Sequence, residues 1–106
     1  MTYVEETVTA SDGLRLFVRR REVASARGEI VLVHGFGEHC GRYDRIGVHL
    51  NAHGYSVTGY DHRGHGLSDG LPGHVESFRE YEDDLDRIIA AIRGRSESRR
   101  IFLIGH

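Results

Sequence analysis

The segment Ile30-Val31-Leu32-Val33-His34-Gly35-Phe36-Gly37-Glu38-His39 is where the chain changes character. Its first part, a continuous and largely β-branched apolar run, has the pattern of a parallel strand covered on both faces. The glycine-rich stretch behind it stands where a strand ends and a helix is about to begin. Upstream, Tyr3 to Thr9 and Leu14 to Val23 read as extended segments around Ser11-Asp12-Gly13, a hairpin turn signal. Arg19-Arg20-Arg21 is expected to be a solvated stretch on an edge strand of that hairpin.

Downstream, Tyr43, Ile46 and Leu50 form a helical stripe that Gly54 would end. Tyr55 to Tyr60 reads as a second inner strand. Phe78, Tyr81, Leu85, Ile88 and Ile92 step by three and four, which predicts a helix with one apolar face on a sheet. Its acidic residues Glu80, Glu82, Asp83, Asp84 and Asp86 precede Arg87, Arg93 and Arg95, the order that a helix dipole favours. Gly94 would close this helix, Arg95 to Arg100 would form a polar surface turn, and Ile101 to Ile104 a third inner strand. The predicted fold class is α/β: an antiparallel β-hairpin leading into a doubly wound parallel sheet, ββ-βαβαβ. The last strand is expected to leave an open sheet edge.

A chain of 106 residues is one domain at most. Its 14 basic residues, all arginine, against 16 acidic ones leave no general electrostatic case for nucleic acid or a membrane surface as partner. No apolar run approaches the roughly 18 residues of a membrane span, and no basic segment followed by an apolar one opens the chain. The expected localisation is cytoplasmic. Cys40 is the single cysteine, so no intrachain disulfide can form. Its place in a glycine-rich loop among histidines admits a catalytic thiol, with a small loop thiol as the plainer reading.

Acyl transfer needs preorganised donors aimed at the oxygen that becomes negative in the tetrahedral intermediate. Glycines on either side of Phe36 would let the backbone turn so that the Phe36 N–H faces a pocket. Read alone, this loop could equally be an ordinary glycine-rich turn. The second loop, Asp61-His62-Arg63-Gly64-His65-Gly66-Leu67-Ser68-Asp69-Gly70, is weakly specific by itself. With Phe102-Leu103-Ile104-Gly105-His106 the set becomes specific, each member lying at the C-terminal end of a predicted parallel strand, where open α/β sheets place their sites. An apolar strand running into Gly-His also reads as the approach to a GxSxG nucleophile elbow, with Gly105 and His106 in its first two positions.

These segments resemble the N-terminal portion of an α/β-hydrolase of the monoacylglycerol lipase and lysophospholipase group, the S33 serine aminopeptidase-like hydrolases. HGFGEHCGRY, DHRGHGLSDG and FLIGH follow the group's HGxGEHxxRY-like, DxxGHGxSDG-like and GHSxGG segments in order, from about Leu14 to His106. The resemblance implies that the Phe36 backbone N–H is an oxyanion-hole donor and that His34, Gly35 and Gly37 shape its loop. It implies that Asp61, Arg63, Gly64 and Ser68 brace the loops. It places a serine nucleophile directly after His106, with the acid and the base later still. Residues 1–106 are therefore expected to be a single incomplete domain, inactive alone, from a hydrolase of small lipid esters that needs no cofactor and no metal. Two alternatives stand beside this: a non-catalytic remnant or interaction module, and an epoxide hydrolase or dehalogenase-type enzyme with an aspartate nucleophile. The Gly37-Glu38-His39 continuation of the first loop argues against the latter.

Three patterns compete with this reading. His49 and His53 stand four apart on a predicted helix, a spacing that can present two imidazoles to a metal. They lack an HExxH pattern, which favours a solvated helix face. His62 and His65 invite the same suspicion and fit the second loop instead. Gly35, Gly37 and Gly41, with Asp61 ending the next strand, imitate a dinucleotide fingerprint, but a hairpin precedes the glycine-bearing strand and the third glycine position is not glycine.

Overall fold

A computed structural model describes residues 3–95 and 99–106. Its order is β1 (Val4–Thr9), β2 (Arg15–Arg21), β3 (Gly28–Val33), a short 3-10 turn (Cys40–Tyr43), α1 (Asp44–Ala52), β4 (Tyr55–Tyr60), α2 (Phe78–Arg95) and β5 (Ile101–Gly105). The strands form one sheet in the order β1-β2-β4-β3-β5. β2 pairs antiparallel with both β1 and β4, whereas β3 lies parallel to β4 on one side and to β5 on the other. This is the hairpin leading a parallel sheet that the pattern predicts.

Alternation along β3 sorts the core into two layers. Ile30 and Leu32 join Val57 on the face that packs Tyr43 and Leu50 of the α1 region. Val31 points to the other face, where Leu16, Val18 and Tyr60 meet Ile88 and Ile92 of α2. The apolar run of β3 is continuous because each face has a helix to meet.

Three local expectations are corrected. Arg19-Arg20-Arg21 is not a solvated edge, because β2 is paired on both sides and Arg21 is buried. Arg19 bonds Glu5 and Asp44, Arg20 bonds Glu6 and Glu22, and Arg21 reaches Asp44 at 3.0 Å, so the charge is neutralised by carboxylates rather than by water. On α1, Leu50 packs on the sheet as predicted, but Ile46 is exposed and the buried positions are Gly47 and Asn51. The Asn51 amide donates to the Arg21 and Tyr55 carbonyls, so a polar side chain serves the interface. Gly94 does not close α2, which runs on to Arg95. The predicted surface turn from Arg95 to Arg100 falls partly outside the described residues. β5 lies at the sheet edge with Phe102, Leu103 and Ile104 exposed.

Candidate active site

Chain order takes β4 to one side of β3 and then brings β5 back to the other side. The C-terminal ends of β3 and β5 therefore lie side by side, and the His106 N–H donates to the Val33 carbonyl at 3.1 Å. Such a reversal opens a crevice beyond the strand ends, the usual site in open α/β sheets. Here it is a largely apolar pocket of about 260 Å³, lined among others by His34, Phe36, Tyr60, His62, Tyr81 and His106. The N-terminal part of α2 forms one wall, which is why Phe78, at the head of the predicted core stripe, is exposed instead.

Around Phe36 almost every peptide group is tied down. The Gly35 N–H donates to Glu38 Oε1 at 2.8 Å, and the Gly35 carbonyl accepts from the Glu38 N–H at 3.1 Å and from His34 Nδ1 at 2.8 Å. The Gly37 N–H donates to His65 Nε2 at 2.9 Å. Gly37 has φ +82°, a left-handed conformation that favours glycine. Among the described residues no hydrogen bond engages the Phe36 N–H itself, while the Phe36 side chain is exposed. Glu38 also accepts from the Tyr43 hydroxyl at 2.6 Å. That bond, followed by the Gly35 N–H, lowers its pKa to about 2 and keeps it a carboxylate.

The second loop holds the first by buried polar contacts. Asp61 Oδ1 accepts the Cys40 N–H at 2.7 Å and Oδ2 the Leu67 N–H at 2.9 Å, so one carboxylate pins both loops. Gly66, at φ +49°, lies so close that a Cβ there would sit 2.2 Å from Asp61 Oδ2. Ser68 donates to the Asp61 carbonyl at 2.6 Å and accepts the Phe17 N–H at 2.8 Å. Gly64, in the left-handed region at φ +72°, accepts and donates backbone bonds to Gly73 and Asp69 that close the loop. Arg63 reaches across to α2, donating to both Asp84 oxygens at 2.8 Å, to Glu80 at 3.1 Å and to Asp12 at 2.9 Å. Asp84, fully buried, is the strongest of the interactions that raise the Arg63 pKa.

His34, His62 and His65 form one aromatic cluster with ring centroids 4.4 to 5.9 Å apart. His34 Nε2 accepts the His62 N–H at 2.9 Å, so its Nδ1 carries the proton given to Gly35. His62 Nε2 donates back to the His34 carbonyl at 2.9 Å. Burial lowers the pKa of both rings, with His62 brought to about 4 by desolvation and then by His34. His62 Nδ1 and the hydroxyls of Tyr60 and Tyr81 are buried without a hydrogen-bond partner among the described residues. Burial, reinforced by Asp84, raises the Tyr60 pKa and keeps it a neutral phenol.

The rings of His49 and His53 lie tilted, with centroids 4.5 Å apart, at the C-terminal end of α1, where His53 Nδ1 bonds the His49 carbonyl. Among the described residues no group of three or more His, Cys, Asp or Glu side chains is arranged to hold a metal ion. Cys40 is buried and its pKa is raised to about 12, by desolvation first and Asp61 second, so it is a poor nucleophile. Among the described residues no helix is long and apolar enough to cross a membrane. The importance of Asp84 was not read from the sequence, although an acid three residues after Tyr81 and four before Ile88, on the apolar stripe, was its signal.

A family model described as Serine aminopeptidase, S33, matches residues 24–106. The chain belongs to this family of α/β hydrolases. It is 34% identical over 80 residues to a monoacylglycerol lipase of Mycolicibacterium smegmatis, covering 76% of this chain and 29% of that protein. It is 34% identical over 97 residues to the monoglyceride lipase of Rattus norvegicus, covering 91% and 32%. A soluble variant of the Saccharomyces cerevisiae monoglyceride lipase, solved with a substrate analogue, superposes with a TM-score of 0.83 at 27% identity over all of this chain and 36% of that one. The S33 chain thus spans about a third of the length of these relatives.

Proposed function

We propose that this S33-family chain carries the oxyanion side of a serine hydrolase for carboxylic esters, with monoacylglycerols or lysophospholipids as substrates. The observation that carries the reading is the Phe36 N–H: among the described residues it is an unengaged donor between peptide groups that are bonded, beside an apolar pocket shared with His106. A serine directly after His106 would attack the ester carbonyl beside this donor. A histidine further along would take its proton and return it to the leaving alcohol. The Phe36 N–H would hold the oxygen as it becomes negative. His34, Gly35 and Gly37 shape the donor loop, and the apolar pocket wall suits an acyl chain. The names of the relatives support the ester class.

Residues 1–106 by themselves are expected to show no turnover. In the full-length protein, a fluorophosphonate probe should label the residue after His106 and abolish monoacylglycerol hydrolysis. Labelling elsewhere, or an aspartate at that position, would refute the serine reading.

A further inference from the structure

The loop that presents the Phe36 N–H has little torsional resistance of its own, since glycine stands on both sides of Phe36 and Gly37 occupies the left-handed region. Its rigidity must come from outside. The peptide before Phe36 is held at the Gly35 carbonyl by His34 and Glu38. The peptide after it is held at the Gly37 N–H by His65 Nε2, a group from the second loop. His65 Nδ1 lies 3.0 Å from the Arg63 carbonyl. A ring that accepts at Nε2 must donate at Nδ1, which makes His65 a neutral imidazole in the Nδ1–H form.

We propose that His65 is a positioning residue of the oxyanion site: its Nε2 lone pair sets the Phe36–Gly37 peptide and thereby aims the Phe36 N–H. This rests on the reading of Phe36 as an oxyanion donor. The Nε2-H tautomer or the imidazolium would set a proton against the Gly37 N–H and release the peptide. The bonding geometry gives Nε2 a donor and Nδ1 an acceptor. His65 is buried against His34, His62 and the Phe36 ring, at centroid distances of 5.3, 5.9 and 5.2 Å. The carboxylates of the two loops are already committed, Asp61 to backbone N–H groups, Asp69 to Arg15, and Glu38 to Gly35 and Tyr43. The Arg63 guanidinium is turned away to Asp84, Glu80 and Asp12. The backbone of Arg63 therefore connects the clamp on α2 to the His65 ring, and the ring to the oxyanion loop.

The test uses the full-length protein and two substitutions. Gln can offer Oε1 near the position of Nε2, so H65Q should keep kcat within about fivefold of wild type, whereas H65L should lower kcat by about 30- to 100-fold with KM changed less than about threefold. Nitrogen NMR of labelled histidine should show His65 as the Nδ1–H tautomer at neutral pH, coupled through the hydrogen bond to the Gly37 amide. Equal losses in H65Q and H65L, a change in KM alone, or a protonated or Nε2-H ring in the wild type would overturn the proposal. The NMR measurement needs no turnover. A wild type without esterase activity therefore refutes the proposed function, while the ring spectrum separately decides whether His65 holds the loop.

Discussion

Replacing Asp84 with asparagine keeps the shape of the side chain and removes its charge. The carboxylate is fully buried and takes both the Nε–H and the Nη2–H of Arg63 at 2.8 Å. In D84N one guanidinium bond survives with a neutral amide oxygen as acceptor, and the other becomes an amide N–H facing a guanidinium N–H. A charge-assisted hydrogen bond is worth about 1.5–3 kcal/mol, and removing one partner of a buried ion pair costs about 3–5 kcal/mol. Arg63 still has Glu80 and Asp12, so its charge is not stranded and the lower end applies, about 3 kcal/mol. Urea unfolding of the full-length protein, followed by circular dichroism, should show this as a lower midpoint with unchanged slope. The double substitution R63M with D84L should recover most of the stability, because an apolar pair can replace a buried ionic one. It should not recover activity, since the second loop would lose its tie to Asp12 and Glu80. A loss below about 1 kcal/mol in D84N would mean that Arg63 is satisfied without Asp84, and that α2 does not clamp this loop.

Four further outcomes are expected. His34 and His62 have pKa values depressed by burial, so the unfolded chain binds more protons than the folded one between the ordinary imidazole value and about 4; the stability tied to their neutrality is whole above about pH 6.5 and is lost as pH falls through this window, about 2 kcal/mol for His62 after allowing for its partial exposure, and a midpoint flat across it would refute this. G66A combines a positive φ with a Cβ 2.2 Å from Asp61 and should lose about 2 kcal/mol or more in the same assay. Cys40 should react with iodoacetamide only after denaturation, and labelling of the native protein within minutes would contradict its burial and raised pKa. Residues 1–106 expressed alone should self-associate through the open side of β5, where Phe102, Leu103 and Ile104 are exposed; a monomer in sedimentation velocity with protected amides along β5 would show that edge to be harmless.

Local pattern was enough for the order of elements and for the loops that meet at the strand ends. The β3 run, the Leu85–Ile88–Ile92 face of α2 and the strand at Ile101 all carry their period in a few neighbouring residues, and period is what selects helix or strand. The glycines around Phe36 mark a turn by themselves, but the groups that hold it, Glu38 and His65, are brought there by the fold. Tertiary structure alone decided what partners do. Arg19 to Arg21 look solvated until β4, some forty residues away, closes the other side of β2 and carboxylates from β1 and α1 surround them. Asp84 reads as one acid in a helical run until Arg63 arrives from another loop. His65 reads as one more loop histidine until its Nε2 meets the Gly37 N–H, twenty-eight residues back in the chain. A charge or an imidazole has no fixed role by itself: burial makes it costly, and only the group that folding brings against it determines whether that cost is met and to what use.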